Sequence, residues 1–173
     1  KDVIFLPAVT HPHKNHKFLL QLMKSHWVDK NLVLVCAGGQ GRSEVDFMRE
    51  VRRLNLDDRV VRIGRVTDDD RDGLLKLSRA LVFPSLYEGF GAPVIEAMQL
   101  GTPVIASDCA ALPEIVGDAG LVLSLKVEIW ADSLDVVASK KEALVKAGKL
   151  RAEFFSIVNS GKDLALAYEA TNS

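Results

Sequence analysis

The sequence predicts an α/β fold: a doubly wound parallel sheet of about six strands, covered by helices on both faces. Three observations carry that prediction. Six short runs punctuate the chain, each too short for a typical helix and rich in Val, Ile and Leu, as strands buried on both faces are. Helix-period segments fill the gaps between them, and strict alternation implies right-handed crossovers and a parallel sheet. Loops carrying glycine, proline and charged residues follow several runs, at the strand ends where such sheets bind ligands.

The runs are Val3–Leu6, Leu32–Ala37, Val60–Ile63, Ala80–Phe83, Pro103–Ala106 and Gly120–Leu123. A helix over Lys14–Trp27 follows the first, with Phe18, Leu19, Leu22 and Met23 at the spacing of a core face. Ser43 is expected to cap a helix over residues 44–54. Thr67 is expected to cap one over Asp68–Leu77, so that Asp68, Asp69 and Asp70 form an acidic first turn rather than a metal site. The segment Pro93–Leu100 opens on proline and stops at Gly101, and Thr102-Pro103 prevents its continuation. A short turn of helix is expected at Leu112–Val116. Beyond Leu123 the pattern is helical to the end, with breaks expected at Gly148 and at Ser160-Gly161.

Composition narrows the function classes. The chain has 173 residues, is 48% apolar and carries a formal net charge of −1. It can bury a core, and it has no basic block for non-specific nucleic-acid binding. No apolar run is long enough to span a membrane. Cys36 sits in an apolar run and Cys109 in a loop, without metal-ligand spacing, which favours a reducing, cytoplasmic compartment. The first residue is Lys1 and strand-like residues follow at once, so the chain is expected to be part of something longer.

The most informative stretch is Glu88-Gly-Phe-Gly-Ala-Pro-Val-Ile-Glu96, at a strand-to-helix turn. Its glycines leave backbone amides uncovered at a helix N-terminus, which favours anions such as phosphate. Its carboxylates would repel phosphate but accept hydrogen bonds from hydroxyls. That combination suits a ligand both phosphorylated and hydroxyl-rich, a sugar nucleotide. After the first strand comes Thr10-His-Pro-His-Lys-Asn-His16. Three histidines invite a zinc reading, but they straddle a proline and have no carboxylate nearby; Lys14 reaching a phosphate is the better reading. The loop Ala37-Gly-Gly-Gln-Gly-Arg-Ser43 lacks the G-x-G-x-x-G order, and stands open between a flexible connection and a ligand contact. Gly64-Arg-Val66 is either an exit loop or a backbone contact for a base. Asp108 and Glu114 are as readily structural as functional. No nucleophile–base constellation is visible.

Together these residues resemble the C-terminal, donor-binding domain of a retaining glycosyltransferase of family 4, which has the GT-B fold. Residues from Phe83 through Met98 are similar to that family's E-x7-E motif, and the resemblance continues through Gly101-Thr-Pro-Val-Ile-Ala-Ser-Asp and Leu112-Pro-Glu-Ile-Val-Gly-Asp-Ala-Gly120. His13-Lys-Asn-His16 resembles its Lys-Asn element and Arg62-Ile-Gly-Arg-Val66 its base-binding loop. The resemblance implies a Rossmann-like domain over residues 1–158, a crossover helix over 159–173, and an N-terminal acceptor domain outside this chain. It implies that Lys14 holds the donor diphosphate and Glu88 the transferred sugar, the two residues assigned to catalysis. Glu96 would hold the ribose. The amides of Gly89, Phe90, Gly91 and Ala92 would meet the sugar and diphosphate, and the backbone at Arg65 and Val66 the base. The donor would be a UDP- or GDP-linked sugar and the acceptor a glycan or glycolipid. Such enzymes need no bound metal or other cofactor. Peripheral association of the full-length protein with the inner face of a membrane is a further expectation.

Two departures stand out. Family members commonly carry an arginine about six residues before the lysine, where this chain has Ala8. The usual Gly-Gly before Leu-Pro-Glu is Ala110-Ala111 here. Two other functions fit the same plan: a sugar-nucleotide epimerase, and a non-catalytic nucleotide-sugar-binding domain.

Overall fold

The computed structural model describes residues 1–171. Six parallel strands form one sheet: β1 (Asp2–Pro7), β2 (Leu32–Ala37), β3 (Val60–Gly64), β4 (Ala80–Phe83), β5 (Val104–Ser107) and β6 (Leu121–Leu123). Their spatial order is β3-β2-β1-β4-β5-β6, so the chain winds outward from β1 in one direction and then from β4 in the other. The longest register joins β1 to β2, from Asp2 opposite Leu32 to Pro7 opposite Ala37. The β2, β4 and β5 runs are buried along their whole length, which explains why they read as unbroken apolar stretches. At the edge, β3 alternates instead: Val60 is buried while Val61 and Ile63 are exposed.

Helices α1 (His16–Ser25), α2 (Glu44–Arg53), α3 (Asp68–Leu77), α4 (Ala92–Gln99) and α5 (Leu112–Val116) follow the first five strands. After β6 come α6 (Val127–Trp130), α7 (Ser133–Ser139), α8 (Lys141–Phe154) and α9 (Ile157–Thr171). Phe18, Leu19, Leu22 and Met23 of α1 are buried as their spacing predicts. Phe18 meets Trp130 edge-on, with ring centroids 5.1 Å apart, which seats α6 against α1. The Thr67 cap forms: its hydroxyl accepts the Asp70 amide at 3.1 Å, and Asp68–Asp70 make the first turn of α3. Gly101, at φ +77°, ends α4, with the amides of Gly101 and Thr102 returning to Met98 and Ala97.

Four expectations are corrected. The first helix does not begin at Lys14. Pro12–Lys14 form a 3-10 turn, Asn15 takes the left-handed conformation (φ 53°), and α1 starts at His16. Ser43 occupies the cap position of α2 but its side chain makes no cap bond: its backbone, at φ −98° and ψ 5°, lies outside the extended conformation that aims a cap hydroxyl at the first-turn amides. Gly148 is no break. It lies inside α8, where a β-carbon would come within 3.3 Å of Met98 Cγ, so the missing side chain lets α8 approach α4. Ser160-Gly161 likewise lies inside α9; the interruption falls at Phe155-Ser156. Residue 158, the expected domain boundary, therefore sits in the first turn of α9. Leu164 and Leu166 on that helix are exposed. Among the described residues no helix is long and apolar enough to cross a membrane.

Both cysteines are free thiols. Burial pushes Cys36 up to about 12, so it packs as a small apolar group. His16 is the main buried titratable group beneath the sheet's carboxyl edge. Burial first, and then the Arg62 cation, lower its pKa from 6.5 to about 4, while Glu44 and the Ala8 carbonyl oppose the shift. Neither ring nitrogen reaches a hydrogen-bond partner in good geometry, and the ring packs edge-on against Phe47.

Two stability measurements follow. Gly148→Leu must push into Met98 and should lower stability by about 1–3 kcal/mol in denaturant unfolding. The neutral His16 ring contributes fully above about pH 6.5. As pH falls from 6.5 towards 4 the unfolded chain takes up a proton that the fold refuses, and a loss on the order of 3 kcal/mol accumulates before levelling off. His16→Leu should flatten the stability profile between pH 7 and 4; an unchanged slope would assign that loss to other groups.

Candidate functional site

The strand order reverses between β1 and β4, so the loops that leave these two neighbours diverge and open a crevice at the carboxyl edge. The loop after β1 ends in the turn Pro12–Lys14, and the loop after β4 runs from Pro84 into α4. The two are stitched together by the Leu86 amide, which donates to the His13 carbonyl at 2.7 Å. Ser85 is fully buried behind them, and its carbonyl accepts the Ser107 hydroxyl. These contacts set Lys14 against Glu88, residues 74 positions apart in sequence: Nζ lies 2.5 Å from Oε1, with side chains only 17% and 11% exposed. The Phe83 ring lies beneath the ammonium, its centroid 5.1 Å away.

Gly91 caps α4 in the left-handed conformation at φ +92°, and a β-carbon there would press to 3.0 Å from Leu112. Glycine is thus demanded twice at this position. The amides of Gly89, Phe90, Gly91 and Ala92 find no acceptor among the described residues. They cluster where the first turn of α4 concentrates partial positive charge. Pro93, the second residue of the helix, has no amide to leave unpaired. The exposed Phe90 ring meets Phe155 edge-on at 5.6 Å, which ties the turn to the end of α8.

Glu96 stands one turn further along α4 and faces Arg71 of α3, with Nε 3.4 Å from Oε2. Arg71 also pairs with Asp68 at 2.9 Å and Asp72 at 3.0 Å, so its charge is shared among three carboxylates. Arg71 borders a cleft of about 240 Å³ whose walls include Ala8, Gly38, Arg65 and Val66. The structure therefore makes two groups of the expected site residues. Lys14 and Glu88 touch directly; Glu96 is joined through Arg71 to the cleft that holds Arg65 and Val66. Arg71 was not anticipated, because the acidic run before it reads as a helix start and hides its one cation.

A second unanticipated cluster fastens the loops around that cleft. Arg62 points inward from β3, 8% exposed, and donates to the carbonyls of Cys36, Gly38 and Gly39 as well as to Glu44. Glu44 in turn accepts the Thr10 hydroxyl, and that hydroxyl accepts the Gly41 amide at 2.8 Å. The loop over residues 38–43 is thus pinned, not flexible. β-carbons at Gly38 and Gly41 would each come within 2.5 Å of a carbonyl oxygen, of Ala8 and Thr10 respectively. The signal was present in the sequence as a lone arginine in the run Val60-Val-Arg-Ile-Gly64, a charge that an otherwise apolar strand must pair.

The histidines do not converge. His11 and His13 stack with centroids 5.9 Å apart, while His16 turns into the core. Among the described residues no three His, Cys, Asp or Glu side chains group as metal ligands. The backbone carbonyl of Glu114 is held by Arg151 of α8. Ala110 takes φ +52°, a left-handed backbone that alanine adopts at a cost of about 1–2 kcal/mol.

A family model described as "Glycosyl transferases group 1" matches residues 1–140. O-antigen chain mannosyltransferase B of Escherichia coli is 38% identical over 165 residues, covering 91% of this chain and 43% of that protein. O-antigen chain mannosyltransferase RfbU of Salmonella typhimurium is 32% identical over 146 residues, covering 83% of this chain and 40% of that protein. The crystal structure of HepE from Anabaena in complex with UDP-glucose superposes with a TM-score of 0.81 at 18% identity, over 97% of this chain and 48% of that one. This chain thus spans less than half the length of the relatives it matches, and it reproduces the fold of one half of a GT-B enzyme. From the family match and the two relatives, the chain belongs to the glycosyl transferases group 1 family.

Proposed function

We propose that the chain is the donor-binding half of a retaining glycosyltransferase that moves a sugar from a nucleoside-diphosphate sugar to a glycan or lipid-linked glycan acceptor. The observation that carries this reading is the Lys14–Glu88 pair joining the β1 and β4 exits, with Glu88 directly followed in sequence by four amides that find no acceptor among the described residues. In this reading Lys14 and the N-terminus of α4 take the diphosphate, with the amides of Gly89, Phe90, Gly91 and Ala92 turned towards it. Glu88 accepts hydroxyls of the transferred sugar. Glu96 accepts the ribose hydroxyls, and the base enters the cleft beside Arg65 and Val66.

Transfer breaks the bond from the anomeric carbon to the diphosphate oxygen, which keeps the electron pair. A bond forms to an acceptor oxygen, and its proton is released. Lys14 and the α4 amides offset the charge that grows on the departing diphosphate, a stabilisation placed before the reaction begins. In this proposal they do so without a bound metal. The acceptor is held by a second domain across the crevice, in a protein working in the cytoplasm at the inner face of a membrane. The relatives are named for sugar transfer, which favours transfer over epimerisation; both are mannosyltransferases, so a mannosyl donor is the first to test.

Calorimetric titration of this chain with UDP, GDP, UDP-glucose and GDP-mannose should give saturable binding to one nucleotide series. A well-folded sample that binds none of them overturns the reading. Glu96→Ala should weaken the nucleoside diphosphate about ten-fold, the scale of one or two hydroxyl-to-carboxylate hydrogen bonds. Lys14→Ala should weaken the diphosphate more than the corresponding nucleoside, since only the former presents charge to it. Affinity should be the same in EDTA as in magnesium, because protein cations and amides hold the diphosphate.

A further inference from the structure

We infer that Glu88 is the resting counter-ion of Lys14, and that exchange of this pair makes the site favour the intact nucleotide sugar over the spent nucleoside diphosphate. The inference rests on the donor-binding reading above and adds to it the order of events at the same residues.

The pair is closed and exclusive. Lys14 Nζ and Glu88 Oε1 stand 2.5 Å apart with both side chains largely buried. Glu88 accepts no other hydrogen bond among the described residues, and the face of Phe83 also lies against the ammonium. The second ionic contact of the turn is looser. Glu96 is 3.4 Å from an arginine that two aspartates hold more closely, and it is 35% exposed, so it can accept a ribose without leaving a buried charge unpaired.

The consequences for a ligand differ by its parts. A diphosphate that draws Lys14 away strips Glu88 of its only donor. The carboxylate is then left in a largely buried position beside a new anion, and an unpaired buried charge is costly. A sugar on the diphosphate relieves this, because its hydroxyls donate to the carboxylate that the ammonium has left. Glu88 therefore penalises the nucleoside diphosphate and spares the nucleotide sugar. Once the sugar has moved on, the penalty returns: Glu88 reclaims Lys14 and helps expel the product. One carboxylate thus couples recognition of the sugar to recognition of the diphosphate, through a contact that exists before either arrives.

The test compares Glu88→Gln with the unchanged chain, which keeps shape and removes the charge. Against whichever of UDP or GDP the chain binds, Glu88→Gln should bind the nucleoside diphosphate about ten-fold more tightly, the scale of one charge-assisted bond no longer broken. The matching UDP-glucose or GDP-mannose should gain nothing or bind more weakly, so the preference for nucleotide sugar over diphosphate falls. In a Lys14→Ala background the gain for the diphosphate should shrink, since the pair is already broken. A folded Glu88→Gln chain that binds the diphosphate as the unchanged chain does, or more weakly, overturns the inference while leaving the donor-binding reading intact. Absence of any nucleotide binding by the unchanged chain overturns that reading itself.

Discussion

Everything at the carboxyl edge depends on one topological constraint. Crossovers in parallel sheets are right-handed, so a chain that builds outward from β1 in one direction and then from β4 in the other must send its loops apart at that junction. The crevice between β1 and β4 is what remains. Lys14 leaves from one side and Glu88 from the other, and the amide of Leu86 on the His13 carbonyl keeps the two loops in register. Long buried pairing of β1 with β2 and the fully buried β4 hold the two loop origins rigidly. The geometry of the ion pair is therefore set by the sheet, which places the two loop origins, together with the bond that joins the loops.

Charge is distributed around that crevice with little left unpaired on the protein side. Arg62, Glu44 and Thr10 form a closed buried chain of bonds beneath the cleft, and the guanidinium satisfies three carbonyls of the neighbouring strand end and glycine loop. Such a cluster contributes little net stability when it replaces well-packed apolar groups, but removing one partner strands the others. Its observable effect is positional: the β1, β2 and β3 exits are fixed to one another. His16 lies against the same cluster and stays neutral because burial and Arg62 both oppose a second buried cation. What remains open to a ligand are the amides of residues 89–92, which no element of the chain satisfies among the described residues.

Much of this was legible in residue patterns. The β2, β4, α3 and α5 boundaries coincide with the expected ones because buried runs and capping residues are local signals, as Thr67 on the Asp70 amide illustrates. The turn before α4 was legible too, since Gly91 and Pro93 answer to local backbone geometry at a helix start. Some of the errors fall where a residue answers to a distant partner. Gly148 is a helix interrupter by propensity, yet it serves close approach to Met98. Ser43 has the chemistry of a cap, yet its backbone, whose amide bonds to the distant Thr10 carbonyl, is not in the extended conformation of a cap. The partners of Arg71 and Arg62 emerge only when α4 and the glycine loop are placed beside them.

The sequence by itself determined the fold class, the place of the glycine-rich strand-to-helix turn and the acids that flank it. These follow from hydrophobic period, glycine and proline placement, and the anion preference of a helix N-terminus, all readable over a few residues. Only the tertiary structure decided how those acids are partnered: Glu88 with Lys14, and Glu96 with an arginine shared among three carboxylates. The reason is physical. Pairing between side chains on different loops depends on strand order, and strand order arises from packing the whole sheet, which no local stretch of sequence encodes.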